Sequence, residues 1–363
     1  MKKSKLIAIL MAAAMVSTAI LSGCGSKADA VSDADKDYTV KLGYYKCDHM
    51  TAAVIAKDTG IFDKLGVKVQ VTGNGNVPTA MAGGQMDVGY IGTANLLGSS
   101  LKGAPIVIAA NNHLGGSYYL VVSNNIKTPQ DLLGKTLAIG TKPETDSCWV
   151  QMAKDLNIPA EGKNYKAVDM DSDQNKYLAL KTGKIDGYTC CDPWGSMAVY
   201  EKTGKIMTTF TKVEGSWGSD CVLSMNKNFI KDHPALAKKM ILAHSQAMEY
   251  IYTHPLKAAQ IFAKNYDVPE EVALMTIYNK TVAEGRTLTW AITPDYIKHE
   301  IDYEVRMKAL DKAPKYEDVV DDSMLKEAGT DDFDTFIKDK VDPVFPLGMS
   351  YADWKAKAAE IDK

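Results

Sequence analysis

The sequence predicts a mixed α/β protein built from two similar lobes. Strand-like apolar runs alternate with helix-like segments over residues 38–225, an order typical of sheets with right-handed crossovers. The 363 residues are 46% hydrophobic and 24% charged, enough for two domains with their own cores. A short pattern, Gly-x-x-Asp before an apolar strand, occurs at 84–87 and again at 183–186. It indicates either a repeated unit or a common helix-glycine-strand connection that occurs twice by coincidence.

The first 37 residues predict export and anchoring. Lys2, Lys3 and Lys5 precede an uncharged apolar run over residues 6–21, as in a secretory signal. The run ends in Leu-Ser-Gly-Cys at 21–24, which resembles the lipobox of bacterial lipoproteins. Residues 1–23 are therefore predicted to be a signal peptide, Cys24 the lipidated residue and 24–37 a polar tether. An ordinary cleavage site beside an incidental cysteine is the alternative.

The charge distribution argues against a nucleic-acid partner and limits the groups that could hold a small anion. The formal net charge is −3 and no basic patch stands out, which argues against nucleic-acid binding. Only Arg286 and Arg306 are arginines. A bound anion would therefore be held by lysine, backbone amides or helix N-termini.

The order of elements predicts where the chain passes between lobes. Lobe 1 is expected to comprise 38–115 and 218–311, with strands near 38–45, 67–71, 88–94 and 105–110. Lobe 2 is expected at 116–217. From residue 228 the pattern is helical, including a helix over 269–282. A charged helical tail, 312–363, should pack on lobe 1.

Residues 183–195 are the stretch most suggestive of a binding site. A short buried strand runs directly into Cys190, Cys191, Asp192, Pro193 and Trp194. Ligands collect at the carboxyl ends of strands in open α/β sheets, so these side chains are candidates for a cleft. The alternative is structural, with Trp194 in the core and Asp192 as a helix cap.

Several sequence motifs resemble those of a known protein family. They are the lipobox, Gly43-Tyr44, and residues 87–94, 128–135, 183–188 and 192–194. The resemblance is to the solute-binding lipoproteins of ABC importers for nitrate, sulfonates, taurine and bicarbonate, with thiamine-pyrimidine binding proteins as relatives. It implies a periplasmic-binding-protein-like clamshell of type II, each lobe a mixed sheet flanked by helices, closing over a ligand. It also implies a membrane-anchored monomer outside the cytoplasm that delivers this ligand to a permease and an ATPase.

The family's ligand positions transfer to loops at predicted strand ends and helix starts. The predicted ligand-binding residues are Tyr45, Lys46, Cys47, Asp48, His49, Gly92, Thr93, Ala94, Thr145, Asp146, Ser147, Cys191, Asp192, Trp194 and Trp217. Aromatic walls favour an organic sulfonate such as taurine, or alternatively a thiamine-precursor pyrimidine or similar heteroaromatic, over nitrate.

The cysteines depart from the family pattern. Besides Cys24, the chain has Cys47, Cys148, Cys190, Cys191 and Cys221, an odd number for disulfides in an exported protein. We interpret the thiols as small apolar cleft lining and expect no metal and no cofactor. A soft-metal site near Asp48 and His49 is the alternative.

Two further classes of function compete with a binding protein. His49 with Cys47 or Cys191 is a conceivable nucleophile and base, as in a pyrimidine-synthase-like enzyme. The sequence has no Gly-x-Ser-x-Gly, phosphate loop or His-Glu-x-x-His motif, so we expect no enzyme. An adhesive surface lipoprotein would show no ligand-induced closure.

Overall fold

The computed structural model describes residues 35–73, 76–115, 118–212 and 214–363. The predicted signal peptide, the lipidation site Cys24 and tether residues 24–34 lie outside the described residues. Asp35, assigned to the tether, is only 5% exposed, and its carboxylate lies 2.5 Å from Nδ1 of His233. Asp35 is therefore held against the folded body, and the boundary of the tether remains a prediction.

Two five-stranded sheets are formed by the ten strands of the described residues. They are β1 Thr39–Tyr44, β2 Lys68–Gly73, β3 Val88–Gly92, β4 Ile106–Leu114, β5 Tyr118–Ser123, β6 Thr136–Ala138, β7 Lys166–Val168, β8 Gly187–Cys191, β9 Gly204–Phe210 and β10 Ser219–Asn226. The predicted mixed α/β class is confirmed. The apolar central strands β3 and β8 are buried over their first four residues, as expected for strands covered on both faces.

Sixteen α-helices flank these sheets in the part of the chain that the structure describes. They are α1 Ala52–Asp58, α2 Ile61–Lys64, α3 Val77–Ala82, α4 Thr93–Leu101, α5 Ser147–Asp155, α6 Asp173–Lys181, α7 Trp194–Tyr200, α8 Lys227–Asp232, α9 Pro234–Thr253, α10 Pro255–Tyr266, α11 Glu270–Tyr278, α12 Pro294–Arg306, α13 Tyr316–Val319, α14 Ser323–Glu327, α15 Phe333–Phe336 and α16 Tyr351–Ile361. The helix predicted over 269–282 is interrupted, because α11 passes into a π-helical turn at Asn279–Ala283. Such turns often occur at functional sites.

Both sheets have the same pattern of strand directions. The first has the order β2-β1-β3-β10-β4, with β10 antiparallel to both of its neighbours. The second has the order β7-β6-β8-β5-β9, with β5 antiparallel to both of its neighbours. Strands β3 and β8 therefore occupy equivalent places.

The repeated Gly-x-x-Asp pattern has the same role in both sheets. Asp87 Oδ2 accepts a hydrogen bond from the Lys41 amide at 2.8 Å, and Asp186 Oδ2 accepts one from Thr136 at 3.0 Å. Each aspartate thus ties the central strand to its parallel neighbour. The preceding Gly84 and Gly183 have φ near +70°, a conformation that glycine adopts readily.

Two adjacent chain segments connect the sheets, one from β4 to β5 and one from β9 to β10. The Gly115 amide donates to the Gly218 carbonyl oxygen at 3.1 Å. A Cβ at Gly115 would lie 2.4 Å from the Thr211 carbonyl oxygen, so only glycine fits this close approach.

The C-terminal segment covers the first sheet and its helices. Helix α14 packs on α9 and β4, α16 packs on α10 and α11, and Val320 forms a β-bridge with Ile108. The predicted boundaries at 115/116, 217/218 and 311/312 remain predictions. Among the described residues, no helix is both long and apolar enough to cross a bilayer.

Candidate functional site

A cavity of about 540 Å³ lies where the carboxyl ends of β1 and β8 face each other, and we call it the cleft cavity. Its lining residues come from both sheets and from α10: Tyr45, Lys46, Cys47, Ser172, Asp173, Gln174, Cys191, Asp192, Pro193, Trp194, Tyr266 and Asp267. The volume is within the range of small-molecule sites. Its position at strand ends is the one expected for a ligand site in an α/β sheet.

The wall from the second sheet is fixed by two aspartates. Asp173 Oδ2 accepts a hydrogen bond from the Cys191 amide at 3.1 Å, which joins the start of α6 to the end of β8. Asp192, followed by a cis peptide bond to Pro193, accepts from the Ser196 amide and hydroxyl, both at 2.8 Å. Asp192 thus caps the turn that presents Trp194 to the cavity.

The wall from the first sheet is joined directly to the second. The Asp48 amide donates to the Asp192 carbonyl oxygen at 3.1 Å, so the ends of β1 and β8 are hydrogen-bonded to each other. The Tyr266 hydroxyl donates to the Cys47 carbonyl oxygen at 2.9 Å and brings α10 to the same place. Tyr45, Trp194 and Tyr266 supply aromatic surface to the cavity.

Beneath the cavity lies a group of interacting charged and imidazole side chains that we call the polar cluster: Asp48, His49, His113, Asp220, Lys280 and Glu284. Lys280 is only 1% exposed. Its Nζ lies 3.0 Å from Asp48 Oδ2, 3.5 Å from Glu284 Oε2 and 3.1 Å from His113 Nε2. The π-helical turn after α11 therefore places its lysine beside Asp48, in the turn after β1, and His113, on β4.

The negative charges of the buried carboxylates in this region are only partly balanced by positive charge. Loss of solvent raises the pKa of Asp48 to about 6, although Lys280 acts in the opposite direction. Burial and the nearby charge of Asp48 raise the pKa of Asp192 to about 6 as well. For Lys280, burial lowers the pKa, but Asp48 and Glu284 outweigh it and the net shift is upward. One ammonium thus faces several buried carboxylates.

The two imidazoles of the polar cluster are neutral at pH 7. Burial, with the charge of Lys280, lowers the pKa of His49 to about 4, and burial lowers that of His113 well below its usual value. Their rings stack at 4.0 Å. Lys280 can only donate to His113 Nε2, so His113 carries its proton on Nδ1 and donates it to Asp220 Oδ2 at 3.3 Å.

All five cysteines of the described residues are free thiols. Cys47 and Cys191 line the cleft cavity, and Cys221 Sγ lies 3.3 Å from His49 Nδ1. A hydrogen bond with Cys47 and then burial raise the pKa of Cys191, and burial raises that of Cys221. The Cys191 and Cys221 thiols are therefore protonated at neutral pH and are poor nucleophiles.

The predicted ligand residues fall into three groups. Tyr45, Lys46, Cys47, Cys191, Asp192 and Trp194 line the cleft cavity. Asp48 and His49 are buried behind it in the polar cluster. Gly92, Thr93, Ala94, Thr145, Asp146, Ser147 and Trp217 are not among the lining residues.

The two helix starts predicted to bind ligand differ in their capping. Helix α4 begins after Gly92, which has no side chain to cap it, and the Thr93 hydroxyl is buried without a hydrogen bond. Helix α5 is already capped, because Asp146 accepts from the Trp149 amide at 2.9 Å. Ser147 donates to Glu304 at 3.0 Å, so α5 offers no open anion site.

Sequence reasoning missed several residues of this region. Asp173, Tyr266 and Asp267 line the cleft cavity, and His113, Asp220, Lys280 and Glu284 belong to the polar cluster. His113 was recognisable in principle, because it follows an apolar run at the end of a strand. For a lysine inside a helix, such as Lys280, the neighbouring sequence does not indicate that the side chain belongs to a buried cluster.

The comparisons with known proteins agree with this architecture. A family model described as NMT1/THI5 like matches residues 48–258. The taurine-binding periplasmic protein of Escherichia coli K12 is 27% identical over 186 residues, which is 50% of this chain and 55% of that relative. The alignment thus spans just over half of the relative.

Solved structures share the fold at low sequence identity. The ligand-binding component of an ABC-type import system from Staphylococcus aureus, solved with zinc bound, has a TM-score of 0.64 at 17% identity. The match covers 81% of this chain and all of that one. The periplasmic nitrate-binding protein of Synechocystis has a TM-score of 0.63 at 16% identity, covering 89% and 98% of the two chains.

Proposed function

Because the chain belongs to the NMT1/THI5 like family, we propose that it is the extracytoplasmic substrate-binding component of an ABC importer. It captures a small organic ligand between its two sheets and delivers it to a permease driven by an ATPase. The lipid anchor on Cys24 and a monomeric state are part of this proposal. The observation that carries it is the cleft cavity, to which the ends of β1 and β8 both contribute.

The proposed ligand class is an aminosulfonate such as taurine. Lys46 can face a sulfonate, and Asp267 presents a carboxylate to an ammonium group, whereas the Asp173 carboxylate is already paired with Lys176 at 2.9 Å. The described lining residues include no arginine, so a simple anion has a single cationic side chain to contact. A zwitterion matches both signs of charge, and its short alkyl chain can pack on Trp194.

A second candidate ligand is an aminopyrimidine of the thiamine-precursor type. The aromatic rings of Tyr45, Trp194 and Tyr266 at the cavity favour it, since a flat heteroaromatic ring can stack between them. Its exocyclic amino group would donate to Asp267. The two candidates differ in whether a sulfonate is needed.

The protonation states disfavour the competing enzyme hypothesis. His49 Nδ1 lies 3.3 Å from Cys221 Sγ, and the pKa of His49 is lowered while that of the Cys221 thiol is raised. A thiolate-imidazolium pair needs the opposite shifts. Binding that shifts an open-closed equilibrium explains the cavity between the sheets without catalysis.

Isothermal titration calorimetry of the full chain tests the proposal with taurine, ethanesulfonate, nitrate and 4-amino-5-hydroxymethyl-2-methylpyrimidine. We expect taurine to bind at least about tenfold more tightly than ethanesulfonate, which lacks the ammonium group. Trp194→Ala should weaken taurine binding by about tenfold, whereas Tyr200→Ala, on the exposed face of α7, should not.

The other outcomes are equally informative. Tighter binding of the pyrimidine selects the second candidate. Equal affinity for taurine, ethanesulfonate and nitrate contradicts the assigned charge pattern. Conversion of any ligand, or no binding of any of the four, contradicts the proposed function.

A further inference from the structure

Three donor atoms lie close together at the polar cluster, one on the turn after β1 and two on β10. His49 Nδ1 is 3.3 Å from Cys221 Sγ and 3.5 Å from Asp220 Oδ2, and the last two atoms are 3.7 Å apart. Ligand atoms bonded to one tetrahedral zinc ion at its usual bond lengths are separated by about 3.3–3.7 Å. We propose that His49, Asp220 and Cys221 form a three-ligand site for a zinc-class divalent transition metal.

The ligand chemistry is that of a borderline-soft cation. One imidazole nitrogen, one thiol sulfur and one carboxylate oxygen are typical zinc and cobalt ligands, whereas calcium and magnesium take oxygen ligands. Three protein ligands leave a fourth position for water or for a small molecule.

The tautomer of His49 suits metal binding at Nδ1. Its Nε2 lies 3.4 Å from Asp48 Oδ1, so the proton is favoured on that side and the Nδ1 lone pair faces Cys221. Both Nε2 and Asp48 Oδ1 are buried and make no hydrogen bond. A metal on Nδ1 would polarise the Nε2 proton and strengthen this contact, as carboxylate-histidine-metal arrangements do.

His113 acts on the site through Asp220 and is a positioning residue. Its Nδ1 proton is donated to Asp220 Oδ2, while its Nε2 accepts from Lys280. The parallel stacking of its ring on that of His49 keeps its own lone pair away from the proposed metal position. Rotation of Asp220 towards the cleft is thereby restricted.

Charge and access both favour a cation at this place. Asp48, Asp220 and Glu284 bring three carboxylates to a cluster whose one ammonium, that of Lys280, pairs with Asp48 and Glu284. A divalent ion would compensate the excess negative charge. The Asp220 side chain is 30% exposed and provides the entry path to a site whose other ligands are buried. On binding, the Cys221 thiol gives its proton to solvent, so one proton is released per ion.

Cobalt titration of the full chain, stripped of metal with chelator and kept reduced, tests the proposal. We expect one Co²⁺ per chain, a thiolate-to-cobalt charge-transfer band in the near ultraviolet, release of one proton, and displacement by Zn²⁺. Cys221→Ala should abolish the band, and the isosteric, partly exposed Asp220→Asn should weaken binding by at least about tenfold. Cys190→Ala removes a buried thiol of the second sheet and should leave the titration unchanged.

Two results would overturn the site. One is the absence of a thiolate band in a parent protein whose circular dichroism shows it folded. The other is loss of the band in Cys47→Ala but not in Cys221→Ala, which would place the metal with Cys47 and Asp48, on the opposite side of His49. Neither result bears on taurine binding, so the metal site and the proposed transport function fail separately.

Discussion

The cleft cavity and the polar cluster meet at adjacent residues after β1, yet they are opposite environments. Cys47 lines the cavity and is partly exposed, whereas the next residue, Asp48, is buried in the cluster. The cavity offers solvated groups and aromatic surface to a ligand. The cluster holds mostly buried charges that depend on neighbouring charges for compensation. After β1, consecutive residues therefore differ in role: one side chain is available to a ligand, and the next is buried inside the fold.

The difference predicts where substitutions cost stability and where they cost affinity. Removing a partner from a buried ion pair leaves an uncompensated charge in a medium that solvates it poorly. Removing a group from the cavity wall costs less stability, because its neighbours are already in contact with water. Three substitutions test this contrast, from the largest expected effect to the smallest.

Lys280→Met should be the most destabilising, by about 3–5 kcal/mol, because it leaves Asp48 buried without a cation. Denaturant unfolding at neutral pH, followed by circular dichroism, measures this. Lys264→Met is the matched control, since its side chain is 78% exposed and pairs with Asp58 at 3.4 Å. It should cost no more than about 1 kcal/mol. Equal losses of unfolding free energy in Lys280→Met and Lys264→Met would contradict the expected difference between the buried cluster and the surface.

Asp192→Asn should change the pH dependence of stability. The folded protein holds the Asp192 proton up to about pH 6, above its ordinary value, so ionisation of this group destabilises the fold as the pH rises from about 4 to about 6. The asparagine variant lacks this loss. Its stability relative to the parent should therefore increase by about 2 kcal/mol across that interval.

Urea unfolding of both proteins at several pH values measures this trend. Asp332→Asn is a control of opposite sign, because hydrogen bonds from Thr335 lower the pKa of Asp332 in the folded protein. That variant should lose stability relative to the parent as the pH rises. A flat difference for Asp192→Asn would mean that its carboxylate is compensated.

Tyr266→Phe should have the smallest effect on stability, a loss of about 1 kcal/mol, because it removes one hydrogen bond to the Cys47 carbonyl oxygen. That oxygen keeps the Met50 amide as a second donor. Tyr200→Phe, at an exposed tyrosine, should stay within about 0.5 kcal/mol of the parent in thermal unfolding. A cost as large as that of Lys280→Met would place Tyr266 in the cluster instead of the cavity wall.

The family resemblance and the predicted strand ends together identified part of the cavity wall. Tyr45, Cys47, Cys191 and Trp194 were expected because the family's ligand positions transfer to loops at predicted strand ends, and all four line the cavity. Thr145, which opens a turn in the same way, is exposed and bonds only the nearby Lys142 carbonyl oxygen. The pattern identifies strand ends and helix starts, but not which of them face each other.

By itself, the sequence determined the order of strands and helices and the mixed α/β class, because hydrophobic periodicity and glycine stops act over a few residues. It also determined the matching Gly-x-x-Asp connections before β3 and β8. Only the tertiary structure decided that Lys280 neutralises Asp48, 232 positions earlier, and that Cys221 and Asp220 lie beside His49. Charge compensation depends on distance and burial, and both are set by long-range packing that no local pattern encodes.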